Sequence, residues 1–155
     1  AFPSLLAAKL DFENEIKHYF ESLEMQKRLL NPVHSNLAKT FFNIGLAYSR
    51  IGDLENELLF KSKSLEIRRA LSKSTFKNDI DLNLVKLLNS IGETYSKMFD
   101  HENELKIRLE AFDVCKLEMI SENHPEYLKC LFGISNCYKN LKDHKNRLKY
   151  LRIIR

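Results

Sequence analysis

One block of sequence occurs three times, and that recurrence limits what the chain can fold into more than any other feature. His34 to Tyr48 reads HSNLAKTFFNIGLAY, Asp81 to Tyr95 reads DLNLVKLLNSIGETY, and His124 to Tyr138 reads HPEYLKCLFGISNCY. The period is 47 and then 43 residues. Each copy sets large apolar residues and one small residue at spacings of three and four: Phe41, Ile44, Gly45, Tyr48, then Leu88, Ile91, Gly92, Tyr95, then Leu131, Ile134, Ser135, Tyr138. Those spacings put the residues on one face of a helix. A helical block repeated at this period cannot bury its apolar face alone, so the pattern predicts an array of stacked helices that share a continuous core.

A second block follows each copy, with an earlier one near the N-terminus. Asp11, Asp53, Asp100 and Asp143 each open an Asp-x-x-Asn-x-aliphatic frame. An Asp before an apolar periodic run offers its carboxylate to the free N–H groups of a first helical turn, so each frame is expected to start a helix. The chain in order then reads as follows. An apolar run at Leu5–Leu10, with Pro3 suited to its first turn, is the tail of a first helix. A second helix covers about 12–30 and stops at Asn31-Pro32. Helices at about 37–50 and 54–71 make the next pair, turned by Gly52. Ser72–Asp79 is a polar connector. Helices at about 82–98 and 101–119 follow, then helices at about 125–141, opened by Pro125, and 144–154.

Pairs joined by about three residues lie antiparallel, with Gly45, Gly92 and Ser135 admitting the partner helix and the three tyrosines filling the space beside the turn. Composition agrees with a helical chain: only four Gly and three Pro in 155 residues, 44% hydrophobic and 30% charged. The net charge of +4 is concentrated at the end, where Leu141 to Arg155 holds six Lys or Arg against Asp143 alone. No run approaches the roughly 18 apolar residues that span a bilayer, and the opening residues lack the layout of a signal peptide. Cys115, Cys130 and Cys137 fall inside apolar helical patterns, which predicts buried free thiols and an intracellular location.

The two blocks together resemble tetratricopeptide repeats, and more narrowly the long-period repeats of kinesin light chains, whose pattern runs HPDVAxxLNNLGxxY and then GDYEKALEYYEKALEI. The residues that carry the resemblance are His34 to Ala38, His124 to Leu128, Asn43-Ile44-Gly45, Ser90-Ile91-Gly92 and Ser64 to Ile67, and it covers nearly the whole chain. It implies an all-α fold, a right-handed α-solenoid of about seven to eight helices in repeat units of about 1–33, 34–80, 81–123 and 124–155. With no initiator Met and cut repeats at both ends, the chain is expected to be a fragment of a larger protein. Where the family places Ala at the contact within a helix pair, this chain has Glu15, Glu57, Glu104 and Arg147. A carboxylate there without partners would be costly, so the three glutamates are expected to have cationic or backbone donors.

In such arrays the first helix of each pair lines a concave groove, and the resemblance implies that the same face binds a partner here. Lys39, Phe42, Asn43, Leu46 and Arg50 would lie on it, with Lys86, Asn89, Ser90, Glu93 and Lys97 from the second copy and Lys129, Phe132, Asn136 and Lys139 from the third. Recurring cations interleaved with Asn and aromatic groups suit an acidic peptide held by charge-assisted hydrogen bonds and apolar anchors. The repeated Glu-Asn-Glu marks helix starts rather than a pair of catalytic carboxylates. His34, His101, His124 and His144 sit at repeat boundaries, and no CxxC, GxGxxG, P-loop, GxSxG or HExxH occurs, so neither an enzyme, a cofactor nor a metal site is expected. Two alternatives stay open: a regulatory segment whose groove takes another part of its own parent chain, and a nucleic-acid-binding repeat using the basic end. The stripe Leu151, Ile153, Ile154 offers a surface for self-association.

Overall fold

The computed structural model describes residues 4–74 and 82–154. They form α1 (Leu5–Leu29), α2 (Ser35–Arg50), α3 (Leu54–Ser74), α4 (Leu82–Lys97), α5 (His101–Leu117), α6 (Pro125–Asn140) and α7 (His144–Ile153). Among the described residues every element is a helix. The helices fall into two compact units, Ala1–Thr75 and Phe76–Arg155. In the first, α2 packs on both α1 and α3. In the second, α4 packs on α5 and α6, α5 on α6, and α6 on α7.

Three turns between paired helices are built alike, and the sequence explains why. After α2, α4 and α6 the chain enters the left-handed region at Gly52 (φ 76°), Phe99 (φ 57°) and Lys142 (φ 59°). The N–H of the next residue then returns to the tyrosine carbonyl five positions back: Asp53 to Tyr48 at 3.1 Å, Asp100 to Tyr95 at 3.0 Å, Asp143 to Tyr138 at 2.9 Å. This satisfies carbonyls that the helix end leaves free. The same Asp then caps the following helix. Its Oδ1 accepts from the backbone of Asn56, Asn103 or Asn146 at 3.1–3.2 Å, and the Asn side chain donates back to Oδ2 at 2.7 Å. That exchange holds all three carboxyls below the ordinary value of 3.8. Two histidines also act as caps, His34 and His124, each accepting a backbone N–H two residues on through Nδ1.

Asp11 behaves otherwise. The expected break there is absent: α1 runs unbroken from Leu5 to Leu29 and is capped by Ser4, whose Oγ accepts from Ala7 at 3.1 Å. The frame matches, but no left-handed turn precedes it, and Leu5–Leu10 is made of good helix formers that carry the helix through. α3 continues to Ser74, three residues into the expected connector; the rest of that connector, Pro3 and Arg155 lie outside the described residues.

The core of the first unit is Leu23, Leu37 and Ile44, with Ile16, Phe20, Phe41, Tyr48 and Phe60 packed around it. Tyr48 stacks on Phe60 at 5.6 Å and meets Phe12 edge-on at 5.4 Å, so it does fill the space beside the turn. In the second unit Val85, Leu88, Ile91, Ala111, Leu131 and Ile134 are all but sealed from water. Each unit also holds a buried ion pair at a place where the family has Ala. Glu57 Oε1 accepts from Lys61 Nζ at 2.6 Å, and Glu104 Oε1 from Arg108 Nε at 2.9 Å, all four side chains nearly inaccessible. Glu104 also meets His101 at 3.2 Å, and the more exposed Glu15 pairs with Arg50. All three glutamates thus have cationic partners.

The cations fit because glycines make room. A Cβ at Gly45 would stand 2.9 Å from Lys61 Cγ and 3.2 Å from the Glu57 carbonyl oxygen; one at Gly92 would stand 3.1 Å from Arg108 Cγ. The sequence pattern points to both, but not to Gly133, where a Cβ would fall 2.2 Å from Arg108 Cδ. Arg108 therefore crosses glycines on two helices, α4 and α6.

Candidate interaction faces

On α2 the exposed side chains are Ser35, Asn36, Lys39, Leu46 and Arg50, with Phe42 and Asn43 half-buried. Asn43, Leu46, Ser49 and Arg50 line an open depression together with Glu15 and Tyr19 of α1. The face is less cationic than its sequence suggests, because Glu15 engages the Arg50 guanidinium. Lys39 has no ion-pair partner among the described residues.

In the second unit α4 and α6 lie side by side and turn one polar face outward. α4 gives it Lys86, Glu93 and Lys97, with Ser90 half-buried; α6 gives it Lys129, Phe132, Asn136 and Lys139. The four lysines outnumber one acid. Phe132 is 51% exposed, an aromatic ring held in water among cations by a helix whose other side is the core. Lys129 Nζ lies 3.3 Å from Glu126 Oε1, whereas Lys86 and Lys139 have no ion-pair partner among the described residues.

Asn89 does not belong to this face. It is 1% exposed and ties the two helices together. Its Nδ2 donates to the Glu126 carbonyl oxygen at 3.1 Å and to Glu126 Oε2 at 2.9 Å, and its Oδ1 accepts from Cys130 Sγ at 3.3 Å. Counting along one helix puts Asn89 in register with Phe42 and Phe132. The start of α6 covers it, a contact that periodicity within α4 cannot reveal. A buried amide of this kind needs several partners, and Glu126 and Cys130 supply them. Glu126, which sequence reasoning passed over, is thus the residue that connects buried Asn89 to exposed Lys129.

The three cysteines are buried free thiols, as their apolar surroundings predict. Cys115 Sγ and Cys130 Sγ stand 4.0 Å apart between α5 and α6. Burial, with the carboxylate of Glu104 nearby, pushes the Cys137 thiol up to about 12. Among the described residues no three His, Cys, Asp or Glu side chains gather as a metal-binding group. Nor is any described helix long and apolar enough to cross a membrane.

No protein-family model and no curated protein sequence matches the chain. Solved structures do. A putative kinesin light chain from Podosopora anserina with nearly identical tetratricopeptide-like repeats superposes with a TM-score of 0.71 at 10% identity, over 96% of this chain and 70% of that one. A variant of that same protein gives 0.69 at 10% identity, over 94% and 68%. The fold is that of tetratricopeptide-like repeats. Packed helix pairs account for the likeness at so low an identity: α2 with α3, α4 with α5, and α6 with α7 are three such pairs, the first two with a glycine, Gly45 or Gly92, at the approach. Repeats of this kind commonly mediate protein–protein interaction.

Proposed function

We propose that the chain is a non-enzymatic, cytoplasmic scaffold whose outward first-helix faces hold an acidic peptide segment of a partner. The observation that carries the reading is the face of α4 and α6, where Lys86, Lys97, Lys129 and Lys139 are exposed together with the half-exposed ring of Phe132. Carboxylates spaced along an extended ligand would meet these cations in turn, with one apolar side chain against Phe132. Asn136 offers an amide for the ligand backbone, and in the first unit α2 offers similar groups of its own in Lys39, Phe42, Asn43 and Arg50. Exposed ion pairs contribute about 0.2–1 kcal/mol each, so four of them give modest affinity that weakens with salt. The segment held could equally come from this chain's own parent, which is the regulatory version of the same reading.

The test is charge reversal of Lys39, Lys86 and Lys129 together, with binding of a labelled Glu-rich peptide carrying one leucine read by fluorescence anisotropy. Loss of binding at unchanged helicity supports the reading. Binding that survives there but disappears when Lys145, Lys149 and Arg152 are reversed transfers the site to α7 and favours nucleic acid. α7 also leaves Leu148, Leu151 and Ile153 in water, 38–52% exposed, beside cations without a neighbouring acid on the helix. This is the surface through which we expect any self-association; sedimentation that stays monomeric at all concentrations would reject it.

A further inference from the structure

We infer that Cys115 and Cys130 are a dithiol that a small peroxide converts to a disulfide between α5 and α6. Their sulfurs are already 4.0 Å apart and on different helices, so an approach of about 2 Å brings them to bonding distance. Both thiols are sealed from bulk water, but Cys115 lies in the last turn of α5. That turn is the end of the helix, closed by Ile120 N–H on the Cys115 carbonyl at 2.9 Å, and its outer residues Leu117 and Met119 are 72% and 89% exposed. A helix end of this kind opens locally at little cost, which admits an oxidant as small as hydrogen peroxide.

The steps balance. The Cys115 thiolate attacks one peroxide oxygen, the O–O bond breaks, and a sulfenic acid and hydroxide result. The Cys130 sulfur then attacks Cys115 Sγ, the S–O bond breaks, and with the released protons the two oxygens leave as water. Two thiols have lost two hydrogens and peroxide has been reduced to two waters. The direction of attack follows from position: Cys115 lies in the last turn of α5 and is the first to meet an oxidant, while Cys130, facing it in the middle of the core, is held well above the ordinary thiol value and stays a thiol until the sulfenic acid has formed. Cys137 has no sulfur neighbour among the described residues and stands apart from the exchange. The bridge would also remove the Cys130 hydrogen bond to Asn89, which holds Glu126 and, through it, Lys129.

The experiment treats the whole chain with hydrogen peroxide, blocks remaining thiols by alkylation, and maps the peptides by mass without reduction. The expected result is a loss of two hydrogens, a Cys115–Cys130 linked peptide, one alkylated cysteine at position 137, and reversal by dithiothreitol. Cys137→Ser should form the same bridge, while Cys115→Ala and Cys130→Ala should form none. The bridged chain should melt at least about 5 °C higher, because the link restricts the unfolded state. Oxygen uptake at Cys115 or Cys130 without a link, or two thiols that persist until circular dichroism shows the helices lost, overturns the inference.

Discussion

Gly133→Ala tests the packing on which the candidate face rests. The added Cβ would lie 2.2, 2.3 and 2.5 Å from Arg108 Cδ, Nε and Cζ, distances at which the guanidinium must leave. A free arginine would move at small cost; this one is anchored by Glu104 Oε1 at 2.9 Å, with 8% and 3% of the two side chains exposed. Displacing it strips a buried carboxylate of its permanent cation and leaves His101 as its basic neighbour, and breaking a buried pair costs about 3–5 kcal/mol. Replacing glycine by alanine inside a helix returns about 1 kcal/mol. The net loss is about 2–4 kcal/mol, or roughly 10–20 °C in the melting temperature of a unit this size. Urea unfolding followed by circular dichroism measures it. The argument also fixes a double-mutant cycle: with Arg108→Met already present, Gly133→Ala should be close to neutral, giving a coupling of at least about 2 kcal/mol. A single-variant loss under about 0.5 kcal/mol, or equal losses in both backgrounds, would refute the role given to Arg108.

Asn89→Leu should cost about 1–3 kcal/mol, because it strips two hydrogen bonds from the buried Glu126; unchanged urea midpoints would show that the bridge contributes nothing. Phe99→Gly should raise stability by about 1 kcal/mol, since the ring is 83% exposed and its backbone sits in the left-handed region; a lower melting temperature would mean that the ring has contacts worth more than the strain. Acid should weaken the helix starts. Asp53, Asp100 and Asp143 are lowered by their Asn partners, so what they contribute is complete above the ordinary value of 3.8 and is lost as pH falls from there through the lowered folded values. Asp100→Asn should flatten that part of the pH–stability curve, and an unaltered curve would count against the cap.

Much of this was legible because it is local. The spacing of Ile91, Gly92 and Tyr95 marks a buried face, and Asp100-x-x-Asn103 marks a helix start, since both depend on residues within one or two turns. The same frame misleads at Asp11 because a cap also needs a preceding reversal. That reversal can be made by Phe99 or Lys142 as well as by Gly52, so composition does not announce it. The candidate face was legible in its lysines and in Phe132, which stay outward because their own helices bury the opposite side. What could not be read lies between helices: Glu15 reaching Arg50, the start of α6 covering Asn89, and Arg108 crossing Gly133. Each joins residues far apart in sequence, where helical period carries no information.

The central claim is that the outward face of α4 and α6 receives an acidic ligand, and lysine labelling reads that face directly. Acetylation rates at each lysine, measured by mass spectrometry with and without saturating Glu-rich peptide, should fall several-fold at Lys86, Lys129 and Lys139 and stay unchanged at Lys145 and Lys149 of α7. Protection of the α7 lysines with Lys86 and Lys129 labelled as fast as before would contradict the account.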